Sequence, residues 1–373
     1  MSGFATRLAA LTRKETRQML RDRSNLIVGL LLPVSLILLF GYGLSFDVTN
    51  ARLAVVMQDN APMARNVVMD LEGSTYLEPV WVQTMVEAER MMRSGEVAAI
   101  LNIPLDFSTE LAAGKTRLQL ILNGVDSNTA SSIEAYVAGA LSTPLQKRAD
   151  RMGIASRGAS ITVVQRTWFN EAGDSTWFLV PGLIVLVMTL IGAFLTSLLV
   201  AREWERGTLE ALFVTPVRPL ELVLAKLAPY LVVGAVDLAF CLLAARYLFD
   251  VPMRGSLGII IAVSLLYLLV SLSLGLLISA TMRNQFAASQ LALLTSFMPA
   301  MMLSGFVFDL RNVPVAIQVI SQLLPATHFM GLIKTLFMAG DYWPDILRTS
   351  AILSLYALVL IAATRRALRK TLD

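Results

Sequence analysis

The chain has 373 residues, of which 56% are hydrophobic and 16% charged, with a formal net charge of +4. A mean hydropathy of +0.66 leaves more apolar surface than one water-soluble core can hide, so composition excludes an ordinary soluble enzyme and implies an integral membrane protein. The modest basic excess flanks apolar runs, where it orients spans and meets anionic membrane lipid, and nucleic acid is not an expected partner.

Crossing a hydrocarbon core of about 30 Å takes roughly 20 apolar residues. Residues 1–25 precede the first such run and read as a cytoplasmic interfacial helix, with Phe4, Leu8 and Leu11 on one face and Arg13, Lys14 and Arg17 on another. The first span, 26–46, is as long as a spanning helix and lacks a following A-x-A site, so it reads as an uncleaved anchor. Residues 47–175 have higher charge density and β-type runs at 52–58, 76–84, 97–103, 118–123 and 161–169, alternating with amphipathic segments at 63–71, 85–93, 107–113 and 131–151. They define an α/β domain.

The second span is 176–201, followed by a charged loop at 202–226 and a third span at 227–248. Spans four (255–282) and five (287–308) carry no charge, and a sixth, 346–364, holds Arg348 near one end, where it snorkels to the interface. Within 309–345 the uncharged run 312–333 contains Pro314, Gln318, Gln322, Pro325 and His328, and reads as outer re-entrant or interfacial helices. With that reading Arg7, Arg13, Lys14, Arg17, Arg21 and Arg23 share a side with Arg202, Arg206, Arg218, Lys226 and the tail 365–373. By the positive-inside rule that side is cytoplasmic, and so are both termini. The expected fold is an α-helical polytopic membrane protein of six transmembrane helices, with an α/β extracytoplasmic domain inserted between helices 1 and 2.

Chemistry of its own is not expected. The one cysteine, Cys241, lies inside the third span and reads as a small packing residue, so neither a disulfide framework nor a metal site is built on it. Ala113-Gly114-Lys115-Thr116 has Thr109 where a phosphate-binding loop needs its first glycine, so it reads as a turn. His328 has no nucleophilic or acidic partner nearby in sequence, and catalytic and cofactor residues are expected to be none.

Two features inside the spans stand out. Asp237 is a carboxylate near the middle of the third span, where insertion costs about 2.5–3.5 kcal/mol, so it must face other helices or water. It lines a translocation route, or it makes a polar contact with a Ser or Thr of a neighbouring span. The fifth span groups Phe297, Met298, Met301 and Met302 around Pro299, an adaptable apolar surface suited to varied hydrophobic ligands or to packing.

The charged loop is the most specific feature. It runs Arg202-Glu-Trp-Glu-Arg-Gly-Thr-Leu-Glu-Ala-Leu-Phe-Val-Thr-Pro-Val-Arg218, with Glu221 and Lys226 beyond it. Trp204, Thr208, Ala211 and Leu212 fall at helical spacing on one face, surrounded by Arg202, Glu203, Arg206 and Glu210. Gly207 permits close backbone approach, and Pro216 and Pro219 stop the helix. This segment resembles the signature of ABC-2 type exporter permeases. The arm Arg13-Lys-Glu-Thr-Arg-Gln-Met-Leu-Arg-Asp-Arg23 is similar to that family's N-terminal interfacial helix, and the large outer domain fits its bacterial multidrug-export branch.

The resemblance implies a permease subunit of an exporter in a bacterial inner membrane, moving lipophilic compounds. Separate cytoplasmic ABC ATPase subunits would bind ATP and magnesium, and a second permease subunit, identical or paralogous, would complete the pathway. It also implies that the loop docks as a coupling helix in the ATPase and that a periplasmic adaptor meets the outer domain. A non-transporting membrane receptor or assembly scaffold is the other class that the residues admit.

Overall fold

The computed structural model describes residues 2–43, 51–112 apart from 60, 63, 66–68, 70, 72–73 and 75, then 118–123, 130–141 apart from 131, 174–209, and 217–368 apart from 308–309 and 311–312. The chain divides into two compact units, one of Met1–Leu44 with Trp168–Asp373 and one of Ser45–Thr167.

Helix α1 (Ser2–Arg21) ends at Asp22, and α2 (Arg23–Gly43) follows at once, starting before the expected span and carrying Pro33 inside it. In the second unit, β1 (Ala51–Met57), β2 (Leu77–Val82), α3 (Met85–Arg93), β3 (Ala99–Ile103), α4 (Phe107–Ala112) and β4 (Gln119–Leu122) follow in order. The sheet order is β2-β1-β3-β4, with β1 parallel to β2 and β3, and β3 antiparallel to β4. Alternation sorts the side chains. Leu53, Val55, Leu101 and Ile103 join Phe107, Ile133 and Val137 on one face, while Ala54, Val56 and Ile100 join Val82 and Ala88 on the other. Both faces of the central strands are thus covered, which is why β1 is a nearly continuous apolar run. The run at 161–169 lies outside the described residues.

The first unit resumes with α5 (Thr176–Ser197) and α6 (Leu199–Glu205), then α7 (Pro219–Tyr247) and α8 (Leu257–Thr281). The expected fifth span is a broken helix: α9 (Gln285–Ala292), a π-helical turn Leu293–Phe297, and α10 (Met298–Leu303). Pro299 has no N–H to continue the regular ladder, and the wide turn stands immediately before α10. Helices α11 (Val315–Gln322), α12 (Pro325–Met338) and α13 (Trp343–Ala367) complete the unit.

Five helices among the described residues are long and apolar enough to cross a membrane: α5 with α6, then α7, α8, α9 through α10, and α13. Helices α11 and α12 form one pair bent by 86°, and the apolar part of α2, Gly29–Gly43, is shorter. The bend leaves carbonyls at the end of α11 without intrahelical partners. The Tyr356 hydroxyl donates to Leu323 O at 2.9 Å, and His328 Nε2 lies 2.9 Å from Gln322 O, which assigns the ring a stabilising task at the bend.

Helix α5 is the hub, with Val180, Ile184, Val185 and Val187 fully or almost fully buried. Its contact with α8 is close because both helices place glycines there. A Cβ on Gly275 would lie 2.2 Å from Ala193 O, and one on Gly192 would lie 2.6 Å from Ser271 Cβ. Thr196 Oγ1 crosses the same seam to Leu272 O at 2.9 Å. Where α5 breaks at Leu198, Ser279 Oγ of α8 accepts from Val200 N and Ala201 N at 2.9 and 3.0 Å, supplying partners for the first N–H groups of α6.

Candidate functional site

The charged segment is not one loop. Helix α6 carries Arg202, Glu203 and Trp204 and ends at Arg206, where Gly207 adopts a φ of +65°. Nothing in this chain stands within 4 Å of a Cβ on Gly207, so within the subunit the glycine is needed for its left-handed backbone. Because the chain reverses there, Thr208 does not continue the face of Trp204; its Oγ1 lies 3.4 Å from Glu203 O. Glu210 and Pro216 lie outside the described residues. Pro219 begins α7 where it was expected to stop the preceding helix, so the third apolar helix starts eight residues ahead of 227 and absorbs Glu221 and Lys226 into its first turns.

That extension creates an ion cluster. Glu203 and Lys226 are buried, with side-chain exposures of 4% and 1%. Lys226 Nζ lies 2.9 Å from Glu203 Oε2, as an ion pair without hydrogen-bond alignment, and donates to Glu15 Oε1 at 3.3 Å. Lys14 Nζ closes the ring, 2.8 Å from Glu15 Oε1 and 3.2 Å from Glu203 Oε1. Two cations and two carboxylates from α1, α6 and α7 therefore neutralise one another. Burial pulls the Lys14 ammonium down most strongly, but the hydrogen bond to Glu15 and the charges of Glu15 and Glu203 outweigh it and hold the group above its usual value.

Further ties surround the ring. Arg7 Nη2 donates to Glu221 Oε1 at 2.8 Å and its Nε lies 3.1 Å from both carboxylate oxygens, while Glu221 Oε2 accepts from Arg218 N at 2.9 Å and caps α7. Arg202 pairs with Asp22 and donates through Nε to Gln285 Oε1 at 3.1 Å. Glu205 accepts from Gln285 N at 2.8 Å, and Arg283 Cζ stacks 4.9 Å from the Trp204 ring centroid. Helical spacing sets Arg202, Glu203, Arg206 and Glu210 around a face that carries Trp204. The structure turns Arg202 and Glu203 into the protein and leaves Glu205, Arg206, Gly207 and Thr208 exposed. Glu15, Lys14, Lys226 and Glu221 were missed as a set. Their signal was present as charges too close to apolar runs to be solvated without partners.

The intramembrane residues separate differently. Asp237 is 1% exposed, on the face of α7 that carries Gly234 and Cys241. Its two carboxylate oxygens have no hydrogen-bond partner among the described residues, so the bond to a neighbouring Ser or Thr, one of the two alternatives, is not made there. A Cβ on Gly234 would lie 2.5 Å from Leu268 of α8, and Ser264, one turn from Leu268, also has an unpartnered buried hydroxyl. Cys241 is buried in the helical core, in keeping with a packing role. Phe297 and Met301 pack against that core, whereas Met298 and Met302 are 46% and 45% exposed and continue a stripe begun by Leu294. The four residues do not form one surface.

A multi-helix apolar unit, charges gathered at the ends of its helices and a mixed α/β insertion define an integral membrane protein with a folded inserted domain. The family model described as ABC-2 family transporter protein matches residues 23–366. The chain belongs to this family. It is 38% identical over 337 residues to the probable multidrug ABC transporter permease YbhS of Escherichia coli K12, covering 90% of this chain and 89% of that one. It is 31% identical over 361 residues to the probable multidrug ABC transporter permease YbhR of the same organism, covering 96% and 95%. To the linearmycin resistance permease protein LnrN of Bacillus subtilis it is 25% identical over 388 residues, covering 97% and 99%.

Proposed function

We propose that this chain is the permease subunit of an ATP-driven exporter of lipophilic compounds in a bacterial inner membrane. Separate cytoplasmic ABC ATPase subunits bind ATP and magnesium, and a second permease subunit completes the pathway. Helices α2, α5–α6, α7, α8, α9–α10 and α13 serve as six spans, α11–α12 as a re-entrant pair, and both termini face the cytoplasm. The 47–175 domain then faces the periplasm and meets an adaptor. The likeness to the probable multidrug permeases YbhS and YbhR and to the linearmycin resistance permease LnrN supports small-molecule export.

The observation that carries the reading is the neutral ring of Lys14, Glu15, Glu203 and Lys226. Buried ion pairs contribute little net stability relative to apolar replacements, but they resist separation because each partner left behind is an unpaired buried charge. A force applied by the ATPase at Arg206, Gly207, Thr208, Glu210 and the return through Pro216 therefore moves α1, α6 and α7 together. Arg202, Glu203 and Trp204 act as relays inside the permease, and the exposed residues make the docking contact. Asp237 and the Met298–Met302 stripe are the pathway candidates.

The test is isolation of the tagged chain with its ATPase in mild detergent, followed by transport and ATP hydrolysis in proteoliposomes. Reversing the charges of Arg206 and Glu210 should release the ATPase, while Glu203→Gln should retain it and lower transport by at least tenfold. A chain that never co-purifies with an ATPase, or a Glu203→Gln variant with full transport, overturns the reading.

A further inference from the structure

A cavity of about 880 Å³ opens beside the ion ring, among Lys14, Arg17, Arg21, Arg202, Arg206 and Asp22. That is on the order of thirty water volumes, enough for a hydrated phosphate-bearing group. Five of these six side chains are cationic. Asp22 is engaged by Arg202, and Lys14 by Glu15 and Glu203, while Glu205, whose charge acts on Arg202 and Arg206, accepts from Gln285 N. Arg17, Arg21 and Arg206 have no ion-pair partner among the described residues. Lys14, Arg17 and Arg21 repeat at i, i+3 and i+7 on one face of α1, where like charges repel. An anion in the cavity removes that repulsion.

The position of the cavity selects the kind of anion. It is bounded by the α1–α2 break at Asp22, the end of α6 and the start of α9 at Gln285, where three apolar helices begin or end. Helix ends of this kind mark the headgroup layer. On the same helix ends, outside the cavity lining, Leu20 of α1, Ile27 of α2 and Phe286 of α9 are 59%, 59% and 70% exposed. Guanidinium groups flanked by exposed apolar side chains match an amphiphile with a phosphate head and acyl tails.

We propose that this cavity binds the headgroup of an anionic phospholipid from the leaflet on the charged-segment side. Arg17 and Arg21 hold the phosphate, and the exposed apolar residues meet the acyl chains. This site is separate from the transported cargo and holds whichever way the chain faces in the membrane.

The test is native mass spectrometry of the delipidated full-length chain with its co-purified ATPase, titrated with phosphatidylglycerol, phosphatidylethanolamine or inorganic phosphate. Phosphatidylglycerol should be retained about tenfold more than phosphatidylethanolamine, and millimolar phosphate should not displace it. The R17Q/R21Q variant should lose roughly tenfold in retention, whereas R365Q, an exposed cation in the last turn of α13 and not in the cavity lining, should not. Both variants are exposed substitutions, and their melting temperatures show whether the fold is kept. Equal retention of the two lipids, or undiminished retention by a folded R17Q/R21Q, overturns the proposal. Displacement by phosphate would make it a free-anion site. A variant that keeps lipid but loses the ATPase would make the cavity a protein-docking surface.

Discussion

Lys226 shows how one side chain sets the energetics of its surroundings. Removing it by Lys226→Met leaves Glu15 and Glu203 facing each other beside a single ammonium, and breaking a buried pair in this way costs about 3–5 kcal/mol. Adding Glu203→Met restores neutrality, because Lys14 and Glu15 remain paired, so the double variant should melt closer to wild type than the single one. Thermal unfolding of the purified protein checks this, and a single variant with wild-type stability would show that the ring carries no strain when opened. Asp59 makes a second residue-scale prediction. The nearby Ser108 hydroxyl, though not aligned as a hydrogen bond, then the backbone N–H groups of Ala61 and Ser108, which donate at 2.9 and 2.8 Å, hold its carboxyl below the usual range. A depressed carboxyl stabilises the fold above its unfolded pKa and loses that contribution as pH falls through the folded one. Asp59→Asn should therefore melt lower than wild type at neutral pH, with the gap closing in acid below the ordinary aspartate range. A gap that is the same at every pH would rule out this account.

At the scale of elements, the α5–α8 seam is decided by two glycines. Gly275→Ala gains helix propensity of roughly 1 kcal/mol but drives a methyl into the Ala193 carbonyl, and overpacking of this kind costs about 1–3 kcal/mol or more. Gly258, near the start of the same helix, has open space around it. Gly258→Ala should express and melt like wild type or slightly better, and Gly275→Ala should fall in both yield and melting temperature. If the two behave alike, helix propensity governs and the seam does not. The apolar helices were legible in the sequence because length and absence of charge suffice to find them. Their ends were less so: Pro219 reads equally well as a stop or as a first helical residue, and only the burial of Glu221 and Lys226 decides between them. The π turn at Leu293–Phe297 has no period of its own to reveal it, and nothing in the local sequence shows that Gly207 takes a left-handed backbone.

For the whole molecule, the candidate site was readable as a place but not as an arrangement. The 202–218 segment announces itself by charge density, yet its partners Glu15 and Lys14 come from almost two hundred residues earlier, and no local pattern links them. The single cysteine makes the orientation directly measurable. In a Cys241→Ala background, cysteines placed at Thr208 and at Glu87 of the inserted domain should label from opposite sides of an intact cell membrane. Labelling of both from one side would remove the six-span arrangement.

The Glu15–Lys226 contact spans 211 positions of the chain. At about 5–20 residues per second of synthesis, Glu15 waits on the order of 10–40 s for its partner to leave the ribosome. During that interval two apolar helices and the entire inserted domain are made while α1 lies without its ring. Closure of the ring is thus a late event in synthesis, possible only once the first turns of α7 have been made.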